Sequence, residues 1–367
     1  MSTLLDYLST VDPDLDRKNV KKGRNSFNEE WDEVEGIQEW TDFTYENMLA
    51  MLGEILTLPY QPDQLFMPPP LRRATRLIVD EPTVSAVLLK WNHTIVDRAL
   101  ELASEKFTEG MRSISWALGV HAGLPGRTFF PDWAGLELKA NFPNSRVPGD
   151  SKVSGKWSSA QLHGKASERY EFFKPLRQVI HYARLFNTRY AYVVSDKELI
   201  CIRRSVSENK GPPLEHGLPT TPARKSRKEP STPSSPPHTL GSPFRVVVPR
   251  PEESAEQFLT PQRRPKPRQN SIASTMSAMS LDSPSVVVSS PSDIKSSPSN
   301  YTEDGNPDVN EAFVEIVTVP WGETRPGHLT INLALFWVHI LAGFDVDLRQ
   351  SYPPLGRGLG EAFGLCS

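Results

Sequence analysis

The sequence predicts one α/β domain, a mixed sheet flanked by helices and interrupted by a long disordered insertion. Three observations predict it. An apolar stripe of period 3.6 runs through Val84, Val87, Leu88, Trp91, Ile95, Ala99 and Leu102, marking a core helix. Short segments of strand character follow it, separated by Gly, Pro and Asn. Two further apolar segments, AFVEIVTVPW and LTINLALFWVHILAGF, return only after a long Ser- and Pro-rich stretch.

Taken in order, residues 1–42 are acidic and patternless apart from WDEVEGIQEW, and are expected to form a mostly disordered head. Met48, Leu49, Leu52, Ile55 and Leu56 give a helix over 43–58. The stripe above, opened by Glu81-Pro82, gives a second helix reaching about Phe107. Residues 113–120, 127–138 and 145–154 read as three strands. A long helix then starts near Glu168 or Pro175, buries Leu176, Val179, Ile180, Ala183 and Phe186, and stops at Asn187. RYAYVVSDKELICIRR reads as two strands around Asp196-Lys197, and residues 312–321 and 329–344 supply a last strand and an apolar helix.

The insertion is assigned by composition. Residues 205–308 hold 18 of the 34 prolines and none of the 8 tryptophans, and too little apolar surface to offset chain entropy. The domain is therefore expected over 43–204 and 309–367. Ser-Pro and Thr-Pro pairs, among them Thr221, Ser242 and Ser290, make a proline-directed kinase a candidate partner of the insertion. Its basic clusters at 224–228 and 263–268 suit nuclear import or loose nucleic-acid contact.

Charge and cysteine count exclude several classes. The formal charge is −3, with 13 acids against 5 bases in residues 1–60 and 11 bases against 5 acids in 209–268. A chain so nearly neutral elsewhere does not grip duplex nucleic acid over a wide face, so any such role is local. Two cysteines, Cys201 and Cys366, are too few for a disulfide framework or a thiolate zinc site. No apolar run reaches the length of a membrane span, and a soluble intracellular protein of nucleus or cytoplasm, with no membrane partner, is expected. Walker, G-x-S-x-G and H-E-x-x-H motifs are absent, and the C-terminal GRGLGEAFG reads as a tail, with no strand before it.

One constellation carries chemistry. Pro131-Asp132 and Asp150-Ser151-Lys152 fall on two expected neighbouring strands. Alternation places Asp150 and Lys152 on one face. Two carboxylates with the Ser151 carbonyl suit Mg²⁺ or Mn²⁺, and an adjacent ammonium can orient the water that attacks a phosphodiester. Glu137-Leu138-Lys139 is a poorer second half, because it shares a strand with Asp132.

These residues, followed by Gln178-Val179-Ile180-His181-Tyr182, resemble the PD-(D/E)xK nuclease superfamily, in particular its RecB-like branch, in which a Gln-x-x-x-Tyr motif follows on a helix. Residues 110–204 and 312–344 also resemble a set of filamentous-fungal nuclease-like proteins. The resemblance implies a restriction-endonuclease-like fold. It implies Asp132, Asp150, Lys152, Gln178 and Tyr182 as catalytic residues, and a metal held by Asp132, Asp150 and Ser151. It further implies an acid from the first helix, for which Glu101 or Asp97 is the candidate on the stripe with His93. Two functions follow from it. One is a metal-dependent nuclease acting on DNA or RNA; the other is a catalytically silent interaction module that keeps the fold.

Overall fold

The computed structural model describes residues 2–61, 63–107, 111–122, 130–138, 144–206, 311–345 and 347–356. In chain order the elements are β1 (Ser2–Thr3), α1 (Leu4–Leu8), β2 (Glu33–Glu39), α2 (Tyr45–Thr57), β3 (Pro59–Tyr60), α3 (Arg73–Arg76), α4 (Glu81–Lys90) and α5 (Asn92–Ser104). They continue with β4 (Ile114–Leu118), β5 (Trp133–Glu137), β6 (Ser145–Lys152), α6 (Ala166–Leu185), β7 (Tyr190–Ser195), β8 (Glu198–Val206), β9 (Glu311–Pro320) and α7 (Ile331–Phe344). β1 and β3 form a small ladder of their own. The main sheet has seven strands in the order β2-β9-β8-β7-β6-β5-β4.

The sheet is mixed. β6 and β7 are parallel, as are β2 and β9, while the other neighbours are antiparallel. A parallel pair cannot be closed by a tight turn, so α6 makes the crossover from β6 to β7. Its Phe172, Leu176, Val179 and Ile180 pack with Ala191, Val193, Ile200 and Ile202 on one face of the sheet. The other face is covered by α5 and the largely apolar α7, with α1 and α2 beyond them, around Trp116, Trp133, Tyr192 and Trp337. Strands buried on both sides need apolar residues throughout, which is why YAYVV and LICI do not alternate.

The stripe expected as one helix is two. α4 ends and α5 begins at Trp91, whose ψ of −74° breaks the helix, and at the break Asn92 is buried. Its Nδ2 donates to Asp12 Oδ1 and to Asn332 Oδ1, each at 2.8 Å. α6 starts at Ala166, takes Pro175 inside the helix, and stops at Asn187 in the left-handed region (φ 49°), where Thr188 N–H returns to Ala183 O.

The loose head is the main correction. Residues 2–42 are packed into the domain. Leu4, Tyr7, Leu8 and Leu15 are buried in the larger core, and β2 is a full edge strand beside β9. Gly36 permits this pairing, since a Cβ there would lie 2.4 Å from the Phe313 ring. Asp32 accepts from Arg184 Nε at 2.9 Å on both oxygens, tying the head to α6, and Trp40 stacks on Tyr190 with ring centroids 6.0 Å apart. Acidic composition misleads here because the apolar residues are few but mostly turned inward, with Val11 and Phe27 left exposed.

The insertion expected over 205–308, with its phosphorylation pairs and basic clusters, lies outside the described residues from position 207 onward, as does Cys366. The strand and helix beyond it do join the domain: β9 pairs with β8 from Glu198↔Pro320 to Val206↔Ala312, and α7 lies in the core. Among the described residues no helix is long and apolar enough to cross a membrane.

Two outcomes follow. Val206 and Ala312 face each other in the ladder, so replacing 207–310 by a short turn closes a hairpin at small entropic cost. That variant should keep one cooperative thermal transition by calorimetry; an unfolded product from a parent that expresses well would contradict the two-segment domain. The second concerns Asp12, which burial pushes up to about 7. The folded state then holds the proton more tightly than the unfolded chain, whose aspartates titrate near 3.9, so this group favours folding below about pH 4 and that contribution is lost as pH rises through about 7. The urea midpoint of Asp12→Asn, compared at pH 5 and pH 8, should fall less over that interval than the parent's.

Candidate active site

β6 runs through the middle of the sheet and carries three of the candidate residues on successive positions. Asp150 and Lys152 turn to the α6 side and Ser151 to the other, as alternation requires. The Ser151 hydroxyl accepts from Trp133 Nε1 at 2.7 Å, so this side chain belongs to the aromatic layer beneath α7. Close packing with β7 depends on the preceding residue: a Cβ on Gly149 would meet the Tyr192 ring at 2.1 Å. A side chain there would push β6 and its charged pair away from β7.

Asp132 is not on a strand. It stands one residue before β5, just beyond the Trp133↔Gly149 pair and therefore beside Asp150. It is exposed, yet its Oδ2 accepts the Ser151 N–H at 2.9 Å, which fixes the carboxylate over the end of β6.

Asp150 and Lys152 form an ion pair, Nζ to Oδ2 2.5 Å, with side chains only 2% and 8% exposed. Lys152 Nζ also donates to Gln178 Oε1 at 3.3 Å, and Gln178 Nε2 donates to the Tyr182 hydroxyl at 3.2 Å. Gln178 and Tyr182, four residues apart on α6, share one helix face. Asp150, Lys152, Gln178 and Tyr182 are thus brought together as one polar chain, with Asp132 at its rim.

The first-helix acid is corrected. Glu101 is exposed and pairs with Arg98 at 2.5 Å, on a helix that packs against the opposite face of the sheet. Asp97 is structural: its Oδ1 accepts Ser115 Oγ and Trp116 N–H, both at 2.9 Å, fastening α5 to β4. His93 packs on Trp116 and Trp133. The acid whose field reaches Asp150 and Lys152 is instead Glu81, at the first position of α4, which also pairs with Lys156 at 3.2 Å. The sequence did hold a signal, an acid next to an Asp-x-x-Thr cap, but a negative charge in the first turn of a helix reads equally as a partner of the helix dipole.

No family model, curated protein or solved structure matches the chain.

Electrostatics follow from burial. Burial raises Asp150 well above the ordinary carboxylate range; Lys152 pulls the other way and Asp132 and Glu81 push it further up. Burial pulls Lys152 down, but Asp150, Glu81 and Asp132 outweigh it and hold the amine above its ordinary value. Burial pushes the Tyr182 hydroxyl up to about 12, so it stays protonated. Lys152 is consequently a permanent cation that donates hydrogen bonds and stabilises negative charge. It does not serve as a base at neutral pH.

The donor set offers a hard cation the oxygen ligands it prefers. Asp150 Oδ2 is buried and receives no well-directed hydrogen bond, its close contact being the Lys152 ammonium, and two carboxylates with a backbone carbonyl are oxygen donors of the kind Mg²⁺ takes. Among the described residues no group of three His, Cys, Asp or Glu side chains is placed to hold a metal, so further positions on such a cation would fall to water. A cavity of about 400 Å³ lies toward the opposite end of β7, lined by Arg189, Tyr190, Arg203, Asp345, Arg349 and Tyr352. Its arginines are paired with Asp345, Asp42 and Glu315, and none of the candidate residues lines it.

The buried pair makes a sharp stability prediction. Lys152→Met leaves Asp150 buried without its counter-ion and should cost about 3–5 kcal/mol in urea unfolding, whereas Asp150→Asn with Lys152→Met should recover most of that loss. Without Lys152 the aspartate rises further, so the single variant should lose more at pH 8 than at pH 5.

Proposed function

We propose that the chain is a metal-dependent nuclease, hydrolysing phosphodiester bonds with a restriction-endonuclease-like domain. The observation that carries this reading is the buried Asp150–Lys152 pair, joined through Gln178 to Tyr182 and flanked by the exposed Asp132 carboxylate. The element order α5, β4, β5, β6, α6, β7, with the acids at the start of β5 and the end of β6 and the Gln and Tyr on the following helix, supports the fold assignment.

Asp132, Asp150 and the Ser151 carbonyl would hold Mg²⁺ or Mn²⁺, which when bound would stabilise charge on the phosphate and acidify water. The chain's own groups do the rest. Lys152, fixed by Gln178, donates to the attacking water or to a phosphate oxygen. Tyr182, kept protonated by burial, holds the Gln178 amide in place. Asp132 and Glu81 are open enough to meet solvent, so a substrate can approach from their side.

One observation favours the silent interaction module. Lys152 stands 2.5 Å from Asp150 and already neutralises it, leaving the cation in competition with an ammonium.

A thermal-shift titration and a cleavage assay separate the two. Mg²⁺ or Mn²⁺ at millimolar concentration should raise the melting temperature by linkage, and Asp150→Asn should abolish the shift. Labelled single-stranded and duplex DNA and RNA should be cut only with those ions, with at least a hundredfold loss in Asp132→Asn and Lys152→Gln. No shift and no cleavage with any of these substrates and ions would leave the module.

A further inference from the structure

All five cations of the first 60 residues fall within one stretch, Arg17-Lys18-Asn19-Val20-Lys21-Lys22-Gly23-Arg24, which contains no acid. The fold fixes this stretch as a strap. At its start Arg17 binds Asp196, Nε to Oδ2 3.2 Å, and Asp196 in turn accepts Ser154 N–H and Oγ at 2.7 Å. In the middle Lys21 N–H donates to Val79 O at 2.8 Å. At its end Asn25 N–H donates to Glu171 Oε2 at 3.0 Å, and its amide to Lys156 O at 3.2 Å.

The strap lies against the turn that follows the Asp150-Ser151-Lys152 strand. A Cβ on Gly155 would stand 2.3 Å from Lys21 O, and Gly23 sits over the Lys156 side chain. Lys156 itself pairs with Glu81, the acid whose field reaches Asp150 and Lys152. The strap therefore borders the candidate active site through backbone contacts that the glycine makes possible.

Two of its cations are spent internally, Arg17 on Asp196 and Lys21 on Asp80 at 3.0 Å. Lys18, Lys22 and Arg24 are exposed, and none pairs with an acid among the described residues. The nearby acids are already engaged: Asp16 accepts Lys18 N–H, Asp80 caps α4, Glu81 pairs with Lys156, and Glu171 takes Asn25 N–H and Lys174. Exposed cations without ion-pair partners, on a backbone hydrogen-bonded in its middle and at its end, repel one another and stand ready for a polyanion.

We propose that residues 17–24 form a track for the sugar-phosphate backbone of a nucleic-acid strand, with Lys18, Lys22 and Arg24 contacting successive phosphates and leading the strand to the Asp132–Asp150–Lys152 site. The choice of a nucleic acid as partner rests on the nuclease reading. Six residues of extended chain reach at most about 20 Å, and a strand advances about 3.4 Å per nucleotide, so the track serves roughly six nucleotides or fewer. Contact is to phosphate and carries no sequence preference.

The test is fluorescence anisotropy of the full chain with a labelled 20-nucleotide single strand in EDTA, where no metal-dependent cleavage can intervene. The parent should bind with strong salt dependence. Lys18→Glu with Lys22→Glu and Arg24→Glu should weaken binding at least tenfold and lower the slope of log affinity against log salt by about 2, the value for three single-strand phosphate contacts. A control of equal charge, Lys90→Glu with Lys106→Glu and Lys165→Glu, should stay within threefold of the parent. Unchanged affinity and slope in the strap variant, equal loss in the control, or no binding by the parent would each overturn the track. Cleavage in Mn²⁺ is read separately. Binding lost with the strap but no cleavage by the parent sinks the nuclease reading and leaves the track standing, while parental cleavage with an indifferent strap sinks the track alone.

Discussion

Burying an aspartate and a lysine two residues apart on one central strand is the constraint to which much of this structure answers. Each charge alone would cost several kcal/mol to desolvate, so both must be paired and held in good geometry. The strand supplies the geometry by alternation, which puts both side chains on the α6 face. α6 supplies the third partner, Gln178, within reach of the ammonium. Since β6 and β7 are parallel, this helix is also the crossover between them, and the same element that closes the topology completes the polar chain.

The opposite face of the sheet fixes β6 from behind. Trp116 donates to the Tyr192 hydroxyl at 2.7 Å and Trp133 to Ser151 Oγ at the same distance, so two indoles bind strands that flank or form the site. His339 of α7 fills the space above Gly135 and is kept neutral, burial pushing it down to about 4. Arg146 of β6 meets this layer at its edge, donating to Ala342 O of α7 at 2.8 Å and pairing with Glu137. The layer's rigidity is mechanical, from interlocked rings and indole hydrogen bonds, while the further charges that act on the pair are Asp132 and Glu81.

How much of this was legible in the sequence depended on whether the signal was local. The α7 run, the α6 stripe and the Asp-Ser-Lys triplet with Gln and Tyr four apart are readable because helix and strand periodicity act over a few residues. β2 was not readable: its Val34 is buried beside β9, nearly three hundred residues later, and under α6, and apart from Ile37 and Gly36 its other positions are acidic or polar. The break at Trp91 likewise depends on Asn92 meeting Asp12 and Asn332, neither of them near in sequence. The sequence points to Glu101 or Asp97 because they share a helical stripe with His93. A stripe gives the face of a helix but not the layer in which the helix packs, and α5 packs on the far side of the sheet from Asp150.

The strap and the buried pair are two answers to one distribution of charge. Over the first 60 residues the acids outnumber the bases by more than two to one, yet every base is gathered beside β6. At the site itself Lys152 is shared between Asp150 and Gln178, 2.5 Å from one and 3.3 Å from the other. On the nuclease reading this sharing has a use. Were a divalent cation held at Asp150, the Gln178 carbonyl would be the acceptor that keeps the displaced ammonium hydrogen-bonded. Tyr182 keeps that carbonyl aimed at Lys152 by accepting from the other end of the same amide. Gln178 is then a positioning residue whose two ends do different work, and a Glu in its place would fix the ammonium too firmly while a Leu would strand it.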